Sequence, residues 1–183
     1  IMDSHCGNWE LLGGVPAYIY SDVEFPVEFE NFRVVYKKLS SRLADDVFYN
    51  NRREPLPRYE GMIESSGLLR HLLANRGKRM IYLVNSDQYP RQTGVDVGTF
   101  LNLPTTAFSG TAAMAHKLGM AVVYMNMVND RRGHYTIRFE TLSEDASKDD
   151  PTEITRNYMR HLEAEIRATP FNWLWSHKRW KNI

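Results

Sequence analysis

The stretch Ile63-Glu-Ser-Ser-Gly-Leu-Leu-Arg-His-Leu-Leu-Ala-Asn-Arg-Gly-Lys-Arg-Met-Ile-Tyr-Leu-Val-Asn-Ser-Asp87 changes its hydrophobic period partway along. Ile63, Leu68, Leu69, Leu72 and Leu73 recur at helical spacing, and Gly77 stands where a C-cap belongs. Met80-Ile-Tyr-Leu-Val84 is then a continuous apolar run of strand length, and it ends in the polar Asn85-Ser86-Asp87. A helix that hands over to a fully apolar strand is the repeating piece of an α/β layered domain.

The rest of the chain repeats this alternation. Ile1-Met2-Asp3-Ser4 reads like the tail of a strand running into His5, so a further N-terminal portion is expected to precede it. Asn8–Tyr18 is predicted as a short helix, Asn31–Lys37 as a β-branched and aromatic strand, and Ser41–Asn51 as a helix capped by Ser40 or Ser41. Ser86 to about Ser109 is expected to be a long loop, and Gly110–Leu118 an alanine-rich helix stopped by Gly119. Ala121–Val128 and His134–Thr141 form a hairpin across the Asn129–Gly133 turn. Pro151 opens the longest helix, which runs to about Thr169 and is stopped by Pro170. The expectation is a single domain over residues 1–183, α/β in class, with a mixed, mostly parallel sheet flanked by helices.

Composition closes off several functions. Of 183 residues 43% are hydrophobic and 25% charged, which excludes disorder and collagen-like repeats. Lysine and arginine number 23 against 22 acids, so no global basic field points to nucleic acid. The one cysteine, Cys6, excludes an internal disulfide framework and a multi-cysteine zinc site. No apolar run reaches the roughly 18 residues of a bilayer span, and no signal peptide opens the chain, so it is expected to be soluble or peripheral. Trp173–Ile183 holds three tryptophans and three fixed cations with no acid. Trp180 with Lys178, Arg179 and Lys181 fits the headgroup region of a membrane or a lipid phosphate, while Trp173 and Trp175 also fit a segment docked into the core.

His5-Cys6-Gly7-Asn8-Trp9-Glu10 is the segment richest in chemistry. Residues five apart lie about 500° apart around a helix. His5 and Glu10 therefore meet only if the histidine precedes the helix that carries the acid, and Gly7 makes such a turn easy. A carboxylate on one imidazole nitrogen would leave the other to act as a base. An ordinary polar histidine and a solvated helix-start acid remain the alternative on spacing alone. Asp87, like His5, directly follows a predicted strand, so the two are expected in one crevice at the carboxyl ends of strands. Cys6 beside the histidine leaves open a thiol nucleophile. Met114, Met120, Met125 and Met127 are core filler or the lining of an apolar chain pocket. His71, His116, His134 and His161 have no metal-like partner at ligand spacing.

The form His5-x-Gly7-Asn8-Trp9-Glu10 resembles the signature of the lysophospholipid acyltransferase superfamily, and within it the bacterial lipid A biosynthesis (lauroyl/myristoyl) acyltransferases. Further segments match in order: Tyr36 and the helix leading to Arg52-Arg53, of which Arg52 is the better positional match, and Asp87-Gln88-x-Pro90 after its strand. Gly94-Val-Asp-Val97 with Phe100 through Thr106 and Gly110 follows, then Pro170-x-x-Trp173-x-Trp175-x-His177-x-Arg179-Trp180-Lys181. The chain departs from the family at Lys37-Lys38, at Tyr89 and at Gly98-Thr99.

The resemblance implies transfer of a fatty acyl group from a thioester, carried by acyl carrier protein or coenzyme A, to a hydroxyl of a lipid A precursor. In it His5 would be the general base, Glu10 would orient it, and Arg52 and Asp87 would bind substrate or the oxyanion. It implies no metal and no cofactor beyond the thioester co-substrate. Its partners would be acyl carrier protein, a glycolipid acceptor and a membrane surface. Its place would be the cytoplasmic face of the bacterial inner membrane, peripheral or held by a preceding N-terminal helix. A lysophospholipid, an aminoacyl lipid or another glycolipid stands as the alternative acceptor, and a non-catalytic membrane-binding relative as the alternative of another class.

Overall fold

The computed structural model describes residues 1–17, 27–53, 60–90 and 94–180. In chain order the regular elements are β1 (Met2–Asp3), β2 (Phe32–Tyr36), α1 (Arg42–Arg53), β3 (Met62–Glu64), α2 (Leu68–Ala74), β4 (Ile81–Asn85), β5 (Val95–Phe100), β6 (Leu103–Ala107), α3 (Gly110–Leu118), β7 (Val122–Arg131), β8 (His134–Ser143) and α4 (Pro151–Ala168). Short 3₁₀ turns join them, the longest at Trp9–Ala17. The chain is α/β, with strand pairing that is mixed and mostly parallel, and it forms two compact units.

One unit is Asn8–Val84. In it β2 lies between β3 and β4 and pairs with both in parallel, Val34 opposite Met62 and opposite Leu83. α1 is capped by Ser41, whose hydroxyl accepts from the Ala44 amide at 3.4 Å. Ile63 belongs to β3, paired with Val35, and not to the helix its spacing suggested. The helix starts only at Leu68 because Ser65–Gly67 forms a 3₁₀ turn first. It also ends earlier than expected, with Asn75 closing the last turn through bonds to the His71 and Leu73 carbonyls.

The other unit is Ile1–Gly7 with Asn85–Ile183. β1 pairs in parallel with β7, and β7 pairs antiparallel with β8 from Val122–Ser143 to Arg131–His134. The hairpin is the expected one, with strands that run on to a tight Arg132-Gly133 turn. Residues 86–109 are not one long loop. β5 and β6 make a second hairpin whose two-residue turn, Leu101-Asn102, has φ of 50° and 66°. That geometry suits the right-handed twist of a hairpin but has no Asn-Gly signal here, and Pro104 inside β6 disguises the strand. α4 is the helix announced by Pro151: Asp150 caps it by accepting from the Thr152 amide at 2.9 Å. It buries Ile154, Tyr158, Met159, Leu162 and Ile166 against a core that includes Met2, Val122 and Tyr124. Full burial of each such aliphatic side chain stabilises the fold by about 1.5–3 kcal/mol. No helix among the described residues is long and apolar enough to cross a membrane.

Candidate active site

His5 lies two residues past the end of β1 and Asp87 two residues past the end of β4. The Ser86 amide donates to the Asp3 carbonyl at 3.0 Å, which draws the two strand ends together. As expected of two strand-end residues, they share one place: His5 Nδ1 is 2.5 Å from Asp87 Oδ1. The His5 backbone N–H donates to Asp87 Oδ2 at 3.1 Å, and the Trp173 indole N–H donates to the same oxygen at 3.0 Å. Asp87 is buried. Burial pushes its carboxyl up, but the bond and charge of the His5 ring, the indole N–H and the His5 amide outweigh it and hold Asp87 below the ordinary aspartate range. An ionised carboxylate only accepts, so the proton of neutral His5 sits on Nδ1. Nε2 then carries the lone pair, and the Gln88 amide lies 3.2 Å from it.

The loop is held from the other side by residues far along the chain. Gly7 N–H donates to the Asn172 carbonyl at 2.8 Å, and Leu174 N–H donates to the His5 carbonyl at 3.1 Å. Gly7 has φ +62°, where an added Cβ would be both strained and in contact with Asn172 and Met127. Cys6 bridges to Trp173 and is buried. Burial, then the neighbouring Glu165, push its thiol far above the ordinary range, so the thiolate that nucleophilic catalysis needs is suppressed. That environment disfavours a thiol nucleophile at Cys6.

In the other unit, Glu10 faces a different partner from the one expected. Arg52 donates Nε–H to Glu10 Oε2 at 2.6 Å and Nη2–H to Oε1 at 3.0 Å, a bidentate fork. The guanidinium carbon lies 5.4 Å from the Trp9 ring centre and 5.9 Å from that of Phe48. The carboxylate on His5 Nδ1 is thus Asp87, while Glu10 neutralises Arg52. Two of the five N–H donors of Arg52 are committed in this way, and Asp87 serves the histidine and an indole rather than an oxyanion, which only a donor can stabilise. Because both partners of the Glu10–Arg52 pair are mostly buried, with side chains 19% and 14% exposed, a double-mutant cycle of Glu10→Gln and Arg52→Met followed by urea unfolding should give a coupling energy of about 1–2 kcal/mol. Additive losses would rule out the coupling.

The terminal segment is only partly the surface its composition suggested. Lys178 and Trp175 are exposed, but Arg179 is 2% exposed and donates to the Thr106 carbonyl at 2.8 Å. Trp180 donates its indole N–H to Thr105 Oγ1 at 2.8 Å and packs beside Phe100, 6.0 Å between ring centres. Arg179 and Trp180 therefore serve the interior, because β6 offers a carbonyl and a hydroxyl that their N–H groups can satisfy. Lys181 lies outside the described residues. Trp173 takes the core position expected of one of the two earlier tryptophans. Met125 and Met127 are buried. His71 contacts the Tyr82 hydroxyl, His116 the Ala146 carbonyl, and His161 pairs with Glu140. Among the described residues no group of three or more His, Cys, Asp or Glu could hold a metal ion.

Sequence reasoning did not single out three residues of this site. Trp173, Gln88 and His177 all stood inside quoted motifs; Trp173 was read only as a core or surface aromatic, and Gln88 and His177, whose Nε2 accepts from the Tyr89 amide at 3.2 Å, carried no role. An indole or imidazole that must reach across more than eighty positions leaves no mark in local spacing.

No curated protein matches the chain at a significant level. The family model for bacterial lipid A biosynthesis acyltransferases matches residues 1–182, nearly the whole chain and every segment of the site described above. The chain belongs to the bacterial lipid A biosynthesis acyltransferase family, and it is an acyltransferase.

Proposed function

We propose that the protein moves a fatty acyl chain from a thioester donor to a hydroxyl of a lipid A precursor, with His5 as general base and Asp87 as the group that orients and charges it. The observation that carries the mechanism is the 2.5 Å contact between His5 Nδ1 and Asp87 Oδ1. An alcohol is a poor nucleophile at neutral pH and needs a base within hydrogen-bond reach. His5 Nε2 takes the hydroxyl proton as the oxygen attacks the thioester carbonyl. Asp87 stabilises the imidazolium that results, without itself taking the proton. When the tetrahedral intermediate collapses, the C–S bond breaks and the imidazolium returns the proton to the departing sulfur. The balance is one ester formed, one thiol released and a histidine restored. No acyl-enzyme is needed, which suits a Cys6 kept as a thiol.

Acyl carrier protein is proposed as the carrier of the donor, the inner leaflet of the bacterial inner membrane as the place of the reaction, and residues 1–183 as one acyltransferase domain. Purified protein should convert a lipid A precursor and an acyl thioester into a product one acyl chain heavier, read by mass spectrometry. Lipids from a deletion strain should lack one chain of lipid A. Unchanged lipid A in that strain, with transfer in vitro to a lysophospholipid or aminoacyl lipid, would replace the acceptor. No transfer from any thioester to any of these acceptors would favour a non-catalytic relative.

A further inference from the structure

The Asp87 carboxylate turns about an sp³–sp² bond, a soft torsion with broad wells. Something must fix its plane if the bond to His5 is to keep its direction. One oxygen faces the ring, and the other accepts two N–H groups, from the His5 backbone and from the Trp173 indole. The indole is itself immobilised. Its ring packs edge-on against Phe100 at 6.0 Å, Trp175 at 4.8 Å and Trp180 at 6.4 Å between centres. Its backbone is tied to the histidine loop by an antiparallel bridge opposite Cys6, made by the Gly7 N–H bond to the Asn172 carbonyl and the Leu174 N–H bond to the His5 carbonyl. His177, four residues on, accepts from the Tyr89 amide, two residues past Asp87. The segment from Asn172 to His177 thus holds the loop of the base and the loop of its carboxylate at once.

We propose that Trp173 is a positioning residue for the reaction, its indole N–H locking the Asp87 carboxylate in the orientation that aims the His5 lone pair. This rests on the reading of His5 as general base. The role belongs to the N–H and not to the bulk of the ring, which makes it separable from packing. Removing the donor leaves Oδ2 with the His5 amide, so the carboxylate can swing and the imidazole with it. It also leaves more of the carboxylate charge to the ring, so the imidazolium is held more tightly. Besides His5, the titratable groups that interact electrostatically with Asp87 include Asp3, Cys6, Tyr158, Glu165 and Arg179, and this substitution replaces none of them.

The test compares the wild-type chain with Trp173→Phe and with a variant carrying benzothienylalanine at position 173, an isostere that keeps the fused ring and lacks the N–H. Acyl transfer from a thioester to the lipid A precursor is followed across pH, and the Nδ1 proton of His5 is observed by NMR without substrate. Both variants should lose kcat by about ten- to a hundredfold with donor KM little changed. The acid limb of kcat/KM should rise by about half a pH unit. The far-downfield resonance of the His5–Asp87 hydrogen bond should shift or broaden. If Trp173→Phe fails to fold, the isostere decides alone. Wild-type kcat, acid limb and resonance in the isostere would overturn the proposal, as would a loss of activity with limb and resonance unmoved. The resonance is read without turnover, so the proposal can fail while the general-base reading stands. A His5→Ala protein of full activity would remove that reading instead.

Discussion

Asparagine at position 87 is expected to lower kcat by about three to four orders of magnitude while leaving the melting temperature within a few degrees. The size of the effect follows from where the amide must point. Asp87 Oδ2 accepts from two N–H groups, those of the His5 backbone and the Trp173 indole, so the asparagine must keep its oxygen there. Its NH₂ then faces His5 Nδ1 in place of Oδ1. An NH₂ group donates, so Nδ1 must accept and the ring proton moves to Nε2. The nitrogen that should take the hydroxyl proton is then already protonated. The substitution changes one atom and no volume, yet it selects the wrong tautomer and removes the charge that stabilises the imidazolium. Activity within tenfold of wild type, measured with saturating thioester and acceptor, would show that Asp87 is not the orienting group.

Much of this arrangement is legible in the sequence. The switch from helical spacing to Met80–Val84 marked a buried strand, and the parallel pairing of β4 with β2 shows why that strand is apolar throughout. Pro151, Gly119 and the β7–β8 turn are local signals, and the structure uses each of them where they stand. What stayed hidden depends on contacts between distant residues. β5 and β6 alternate poorly, with Asp96 in one and Pro104 in the other, and they hold together through a turn whose left-handed residues are leucine and asparagine. Ile63 has the right spacing for a helix but finds a parallel neighbour in Val35. Local periodicity cannot weigh a sheet partner against a helix turn.

The site divides in the same way. That His5 and Asp87 follow strands predicted a shared place, because parallel strands bring their carboxyl ends to one side. The choice of carboxylate was different. Glu10 is five positions from His5 and Asp87 is eighty-two, and sequence distance favours the nearer acid. The structure places Asp87 on the ring nitrogen and Arg52 on Glu10, so the motif acid contributes by holding a guanidinium. The terminal Trp/basic segment shows the complementary failure. Trp180 with its neighbouring cations read as a surface, but β6 accepts one N–H of Arg179 and the indole N–H of Trp180, Asp87 accepts that of Trp173, and those groups turn inward.

Replacing Asp3 by asparagine is expected to stabilise the protein, and to do so more at pH 8 than at pH 5. Asp3 is 1% exposed at the end of β1, with one end of the Asn85 side-chain amide 3.1 Å from its Oδ2. Burial first, and then the charge of Asp87, push its carboxyl up to about 8, against a smaller pull downward from His5. The two acids behind the histidine therefore divide the work: Asp87 carries the charge and Asp3 keeps its proton. In the unfolded chain an aspartate titrates near 4, so between about pH 4 and pH 8 folding takes up a proton at Asp3. The folded state binds more protons than the unfolded one across that window, so stability declines as pH rises through it and levels off above. The decline contributed by this single group is on the order of a few kcal/mol. Asparagine keeps the shape and a polar contact to Asn85 but has nothing to ionise, so its stability should stay flat where that of the wild type falls. Urea unfolding of both proteins from pH 5 to pH 9 should show the variant gaining steadily on the wild type up to about pH 8. A constant difference over that range would mean that Asp3 is charged alongside Asp87, and the single negative charge assigned to the base of the site would have to be given up.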